Sequence, residues 1–297
     1  MRILRLLIVI IGLILTSSTG WAQSFWQASG SLPNVTDTVF SITVHPNASI
    51  FIGTSGSAVL VSADSGNTFA TANVGFVFQR VFDVKVSSLG YLFAGADSSG
   101  VFRSIDNGSN WTFTSPIINA HAILTTSGGF VFAGTNNGEI YRSSDAGYSW
   151  QLIGSTNYYK ITSFAQNGSA LFCGTMGGGI FKSTDNGNNW VQIVTTTPQI
   201  YNVNNLHVSR RYELFAVTSN KGIFKSTDNG LTWLQINTGL GKTNVTSIIS
   251  NASGDLFAGT YGNGVYRSTD FGSTWSSVTS GMTDFRIRSL AVDSFGY

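Results

Sequence analysis

The chain has 297 residues, with 16 Lys and Arg against 14 Asp and Glu, and only 10% of it is charged. A formal charge of +2 with no clustered basic stretch argues against nucleic-acid binding. One cysteine, Cys173, rules out an intrachain disulfide, and His45, His121 and His207 lack metal-ligand spacing, so no metal and no cofactor are expected.

Residues 1–22 read as a secretory signal. Arg2 and Arg5 form a charged start, and Leu6 to Leu15 is apolar apart from Gly12. Gly20 and Ala22 supply small residues for cleavage after Ala22. The apolar run is short of the ~20 residues that span a bilayer. Loss of two arginines brings the net charge of residues 23–297 from +2 to 0. The expected location is secreted, periplasmic or cell-surface, with no membrane span after cleavage.

From there the chain repeats itself. Each unit offers an alternating stretch such as 244–250, then Leu-Phe-Ala-Gly-Thr or a near copy (50–54, 92–96, 131–135, 171–175, 214–218, 256–260). A Gly-Val-Phe-Arg-Ser type segment follows, as at 100–104. β-Branched and aromatic runs bounded by Gly, Asn and Ser read as strands. No segment has a helical hydrophobic period. Cys173 takes a slot that holds Ala94, Ala133, Ala216 and Ala258 in other units, so it reads as a buried small hydrophobe.

Each unit then carries Ser-x-Asp-x-Gly-x-x-aromatic, at 62–69, 104–111, 143–150, 183–190, 226–233 and 268–275. The aspartates, Asp64, Asp106, Asp145, Asp185, Asp228 and Asp270, lie 39 to 43 residues apart. Asp can accept bonds from amides just downstream, and Gly supplies φ > 0. The pattern therefore reads as a structural hairpin turn whose aromatic is buried between units. Arg103, Arg142, Lys182, Lys225 and Arg267, three residues before the aspartate, are expected to brace the turn. Repeats of this length made of four strands point to an all-β propeller.

The six motif copies resemble the Asp-box (bacterial neuraminidase) repeat of sialidases, sortilin-type receptors, xyloglucan-degrading hydrolases and the photosystem II assembly factor. The resemblance covers essentially all of 23–297. It implies that the boxes join the third and fourth strands of each blade, on the face opposite the usual ligand site. It does not choose between enzyme and binder. A sialidase would need an arginine triad, a Tyr–Glu pair, an Asp acid and a Phe-Arg-Ile-Pro start. The nearest string is Phe285-Arg286-Ile287-Arg288, near the wrong end and without proline. A xyloglucanase-like site needs two facing carboxylates. The acids outside the boxes are Asp37, Asp83, Asp97, Glu139, Glu213, Asp255, Asp284 and Asp293, and none stands out by spacing. Asp83 is expected to pair internally with Lys85. No catalytic residue is assigned.

The spacing between units varies only between the box aromatic and the next second strand, from 23 to 27 residues. Variable loops on a fixed frame are where function usually sits. The candidate ligand-binding rim is Tyr158, Tyr159, Tyr201, Tyr261, Asn263, Asp97 and Glu139, with Lys160, Asn202, Asn136, Asn137, Lys242, Asp284 and Arg286 beside them. Aromatics among amides and charges suit a glycan or a peptide. The function expected is a non-catalytic protein- or glycan-binding module, and a monomer. The alternatives are a glycoside hydrolase of the Asp-box class and a structural module of a longer surface protein.

Trp26 stands 27 residues before Gly53, as a box aromatic would, and residues 286–297 copy the first strand and turn at 81–91. These ends are expected to supply an inner strand (287–292) and an outer strand (25–29) of a partial seventh blade, completed in a longer protein.

Overall fold

The computed structural model describes residues 32–33, 37–76, 80–115, 117, 119–157, 159–194 and 199–292. The signal segment, the Trp26 segment, Tyr158 and residues 293–297 lie outside them. Among the described residues there are 24 strands and no helix, in six antiparallel four-stranded sheets.

Blade 1 holds β1 (Val39–Val44), β2 (Ile50–Thr54), β3 (Val59–Ser62) and β4 (Ala70–Thr71). Blade 2 holds β5 (Val81–Val86), β6 (Leu92–Ala96), β7 (Gly100–Ser104) and β8 (Thr112–Ser115). Blade 3 holds β9 (Ala120–Thr125), β10 (Val131–Thr135), β11 (Glu139–Ser143) and β12 (Gln151–Ser155). Blade 4 holds β13 (Ile161–Asn167), β14 (Ala170–Thr175), β15 (Gly179–Ser183) and β16 (Val191–Ile193). Blade 5 holds β17 (Val203–Val208), β18 (Leu214–Thr218), β19 (Gly222–Ser226) and β20 (Leu234–Gln235). Blade 6 holds β21 (Val245–Ser250), β22 (Leu256–Thr260), β23 (Val265–Ser268) and β24 (Ser276–Ser277).

Within each blade the order is sequential, so every connection is a hairpin. The second strands are buried along their whole length, sandwiched between neighbouring blades, which is why they read as unbroken apolar runs. The first strands β1, β5, β9, β13, β17 and β21 contact one another in that order around the centre. Residues 287–292 extend that ring past β21. Ile287 and Leu290 pack with Phe257 and Val265 of blade 6, while Ala291 joins Ile42, Ile50 and Leu60 of blade 1. This segment therefore lies between blade 6 and blade 1. It is tied to blade 6 by the bridge of Tyr261 to Arg286 just before it and by Ile287, whose amide donates to Thr260 O and whose carbonyl accepts from Thr246, and it forms no ladder among the described residues.

The repeated turns join third to fourth strands, as expected, and they are built alike. In blade 2 the Ser104 hydroxyl donates to Asp106 Oδ1 at 2.8 Å and accepts from the Gly108 amide at 2.9 Å. Asp106 Oδ1 also accepts the Asn110 amide, and Oδ2 accepts the Asn110 side chain at 2.8 Å. Thr68, Ser149, Asn189, Thr232 and Thr274 repeat that last contact in the other turns. These bonds hold the carboxylates well below their ordinary range, to about 2 in five of the six. The turn needs two successive left-handed residues, not the glycine alone. Asn107 (φ 56°) precedes Gly108 (φ 80°), and the other turns do the same. The glycine has a second reason: a Cβ on Gly108 would meet the Phe51 ring of the preceding blade at 2.7 Å.

The basic residues brace the neighbour's turn rather than their own. Arg103 donates to Ala146 O, Arg142 to Asn186 O, Lys182 to Asn229 O and Lys225 to Phe271 O, at 2.7–3.1 Å. Each acceptor follows the aspartate of the next blade's turn. Arg267, in the sixth turn, pairs with Asp255 instead.

Candidate functional site

The turns mark one face. The loops between second and third strands, and the links between blades, form the other. On this loop face the central channel opens, enclosing about 580 Å³.

Its lining comes from one local irregularity repeated in every first strand. The register against the second strand slips by one residue at the same place, a β-bulge, in all six blades. A bulge sets two residues against one and re-aims side chains. The extra residues are Phe40, Phe82, His121, Thr162, Asn204 and Thr246, and all line the channel, with Arg288 from the segment between blades 6 and 1. The residues after them, including Ser41, Asp83, Ser163, Asn205, Ser247 and Ser289, line it too.

Order around the ring sorts the wall into two arcs. Blades 1 to 3 give an aromatic arc: Phe40 and Phe82 have ring centres 5.6 Å apart, and His121 stacks on Phe82 at 4.4 Å. Arg288 extends it, its guanidinium carbon 5.9 Å from the Phe40 ring centre and 5.8 Å from that of Tyr261. Burial, with Lys160 nearby, pushes the His121 imidazole down to about 3, so it is neutral at pH 7. Blades 4 to 6 give a polar arc. Part of it stitches the ring: Thr162, Asn204 and Thr246 donate to the carbonyls of Val203, Val245 and Ile287, each at 2.6 Å. Asn205, Asn244, Ser289, Lys160 and Arg288 have side chains with no hydrogen-bond or ion-pair partner among the described residues. Among the described residues, Asp83 is the single carboxylate of the lining; it takes Lys85 at 2.7 Å, as the sequence suggested, and the Ile123 amide at 2.9 Å.

Of the rim residues named from sequence, Tyr261 and Lys160 reach the channel. Tyr159 and Tyr201 flank the turn after β14: the Tyr159 ring covers Gly177 and Gly178, and the Tyr201 carbonyl accepts the amides of Gly177 and Gly179. Asp97 pairs with Arg80 at 3.2 Å, Glu139 meets the Tyr141 hydroxyl, Asn263 meets the Tyr266 hydroxyl, and Asp284 holds Arg286. These four are engaged locally and do not line the channel. Tyr158 lies outside the described residues.

Sequence reading missed Phe40, Phe82 and Arg288. A signal was present. The apolar positions flanking the bulge stand three apart (Val81 and Val84, Ile161 and Phe164, Val245 and Ile248, Ile287 and Leu290), where a regular strand spaces them by two.

Comparison with known proteins agrees with this architecture. Residues 160–291 match the model of the DUF6242 beta propeller domain. The chain is a β-propeller. It superposes on an ancestral GH74 enzyme with a TM-score of 0.68 at 17% identity, covering 88% of this chain and 40% of that one. The propeller thus spans about two fifths of that enzyme's length. Catalytically inactive virginiamycin B lyase from Staphylococcus aureus, with quinupristin, gives 0.70 at 18% identity, covering 82% and 85%. YCF48 bound to D1 peptide gives 0.69 at 16%, covering 86% and 87%. No curated protein matches the propeller in sequence. At these identities the likeness carries the fold and leaves the activity open. Among the described residues, no helix is long and apolar enough to cross a membrane, and no group of three His, Cys, Asp or Glu could hold a metal.

Proposed function

We propose that this propeller is a non-catalytic binding module, exported to the surface, periplasm or medium, whose ligand is a glycan seated at the mouth of the central channel. One observation carries the reading. The aromatic arc of Phe40, Phe82 and His121 faces uncommitted amides, Asn205 and Asn244, across one channel. Sugar rings have apolar C–H faces and a hydroxyl rim, and a pocket of apolar walls with a few aimed polar groups suits them. Tyr159 and Tyr201, outside the mouth, would extend the contact for a longer chain. A glycosidase of this architecture would set two carboxyl groups about 5–9.5 Å apart across the cleft. Asp83, the one carboxylate among the described lining residues, is occupied by Lys85 and an amide. That favours binding over hydrolysis.

Isothermal titration of the chain with a panel of neutral and acidic oligosaccharides tests the reading. Binding that weakens in Phe82→Ala and releases no reducing ends supports it. A panel that is hydrolysed, or no sugar bound while a protein partner is captured regardless of Phe82→Ala, overturns it. Export rests on Arg2, Arg5 and the apolar run to Leu15, and the mature chain should start at Gln23 when its N-terminus is sequenced.

A further inference from the structure

We infer that the channel reads an acidic glycan, one whose sugars carry carboxylates, through Arg288 and Lys160; the inference rests on the glycan reading above. Positive charge exceeds negative charge inside this one concave site. Its cations are Lys85, Lys160 and Arg288, and its one described carboxylate, Asp83, is closed on Lys85. Two positive side chains are left without a counter-charge among the described residues.

They are not casual surface groups. Arg286, two residues before Arg288, is taken by Asp284 through two contacts at 2.8 and 3.0 Å, and Arg288 is not. Its backbone is anchored on both sides, since Ile287 and Leu290 are buried against blade 6. Its guanidinium lies beside the Phe40 and Tyr261 rings. A planar fork held beside aromatic walls suits a planar carboxylate, which it can grip with two parallel bonds. Lys160 is half-buried at the fourth blade, and burial lowers its pKa, so a solvating counter-ion is worth more to it than to an exposed lysine. An anion entering the channel meets both cations while its ring lies on the aromatic arc. Nucleic acid fits poorly, because the sequence has no clustered basic stretch to follow a phosphate backbone.

The test is calorimetric titration of the whole chain with trisaccharides of galacturonate, glucuronate and mannuronate, their methyl esters, and a neutral galactose trisaccharide. At least one uronate should bind about tenfold or more tighter than its own ester, the scale of one charge-assisted hydrogen bond. That preference should shrink with added salt. Arg288→Gln and Lys160→Gln should each remove most of it, and Arg286→Gln should leave it intact. Because esterification deletes the charge from the ligand, the comparison holds even if a variant fails to fold. Equal binding of acids and esters would overturn this inference and leave the glycan reading standing. A sulfated trisaccharide preferred over every uronate would overturn the assignment to carboxylates. Binding of no sugar at all would sink the glycan reading itself.

Discussion

Cγ2 of Ile287 lies 2.5 Å from the point where a Cβ would stand on Gly259. Ile161 bears the same relation to Gly134, at 2.5 Å, and Val203 to Gly174, at 2.6 Å. In each case the second strand of one blade drops its side chain so that the next first strand can close in. Ile287 thus stands to blade 6 as the opening residue of a first strand stands to the blade before it. Ile287→Ala should cost about 2–5 kcal/mol, the range for truncating a buried isoleucine. Arg288→Gln, one residue on and exposed, should cost under about 0.5 kcal/mol. Urea unfolding of both decides. An unchanged midpoint for Ile287→Ala would mean that 287–292 is not part of the cooperative ring.

The bolts between blades should rank by burial and by the charge that each would leave unpaired. Arg142→Ala removes two bonds at the solvent edge and should cost less than about 1 kcal/mol. Arg103 is 7% exposed and lies over the Tyr148 ring at 3.8 Å, so Arg103→Ala should cost about 1–3 kcal/mol. Lys225 also faces Glu213 at 2.8 Å, both largely buried, and Lys225→Met strands that carboxylate. Its cost should be the largest, about 3–5 kcal/mol. Equal losses for the three would show that the turn carbonyls do not need these donors.

Much of this fold was legible because its signals are local. Ser104, Asp106 and Gly108 satisfy one another within five residues, and the same holds in all six turns. The second strands announced themselves by continuous apolarity. What could not be read depends on who stands nearby in space. Asp97 and Glu139 looked available because Arg80 is 17 residues from the first and the Tyr141 hydroxyl has no motif. Arg103 was rightly placed as a brace, yet its acceptor is 43 residues away in the next blade. The channel wall was hidden for another reason. Its positions carry Phe40, Phe82, His121, Thr162, Asn204, Thr246 and Arg288, so no single residue type marks them, and only the broken alternation around them recurs.

Histidines set the response to mild acid. His207 is buried against Ser250 Oγ at 2.8 Å, and burial pushes it from 6.5 down to about 4. His121 is pushed further down. The unfolded chain therefore takes up protons that the folded one refuses between pH 6.5 and 4, and stability falls as pH falls through that window. Below 3.8 the turn aspartates act in the same direction, since their folded values near 2 leave the unfolded chain binding more protons there. Thermal unfolding from pH 8 to 3 should show a decline beginning near 6.5, and His207→Gln should flatten its upper part. A flat profile down to pH 4 would show that His207 is protonated inside the fold.

Cys173 tests the packing of the second strands. It is fully buried, paired in register with Phe164 and Phe181, and burial pushes its thiol far up. Thiolate is the reactive form, so the native propeller should resist thiol reagents and react only on unfolding. Cys173→Ala restores the residue found at Ala94, Ala133, Ala216 and Ala258 and should cost under about 1 kcal/mol. Rapid labelling of the native chain would mean that blade 4 opens on its own.

The turn aspartates separate stability from binding. Asp106 answers one backbone amide, one hydroxyl and one side-chain amide around a single carboxylate, on the face away from the channel. Asp106→Ala leaves the Asn110 amide and the Ser104 hydroxyl without their acceptor. It also loosens the turn under which Phe51 of blade 1 packs, since Gly108 sits directly on that ring. The unfolding midpoint should fall, and more than for Asp97→Asn, whose partner Arg80 is half-exposed and keeps water as an alternative. Neither change touches the channel wall, so sugar affinity measured well below the new midpoint should match the parent chain for both. If Asp106→Ala abolished binding while the chain remained folded, the turns would belong to the ligand site and the loop face would not. If Asp97→Asn alone abolished it, the rim carboxylates, and not the bulged residues of the channel, would carry recognition.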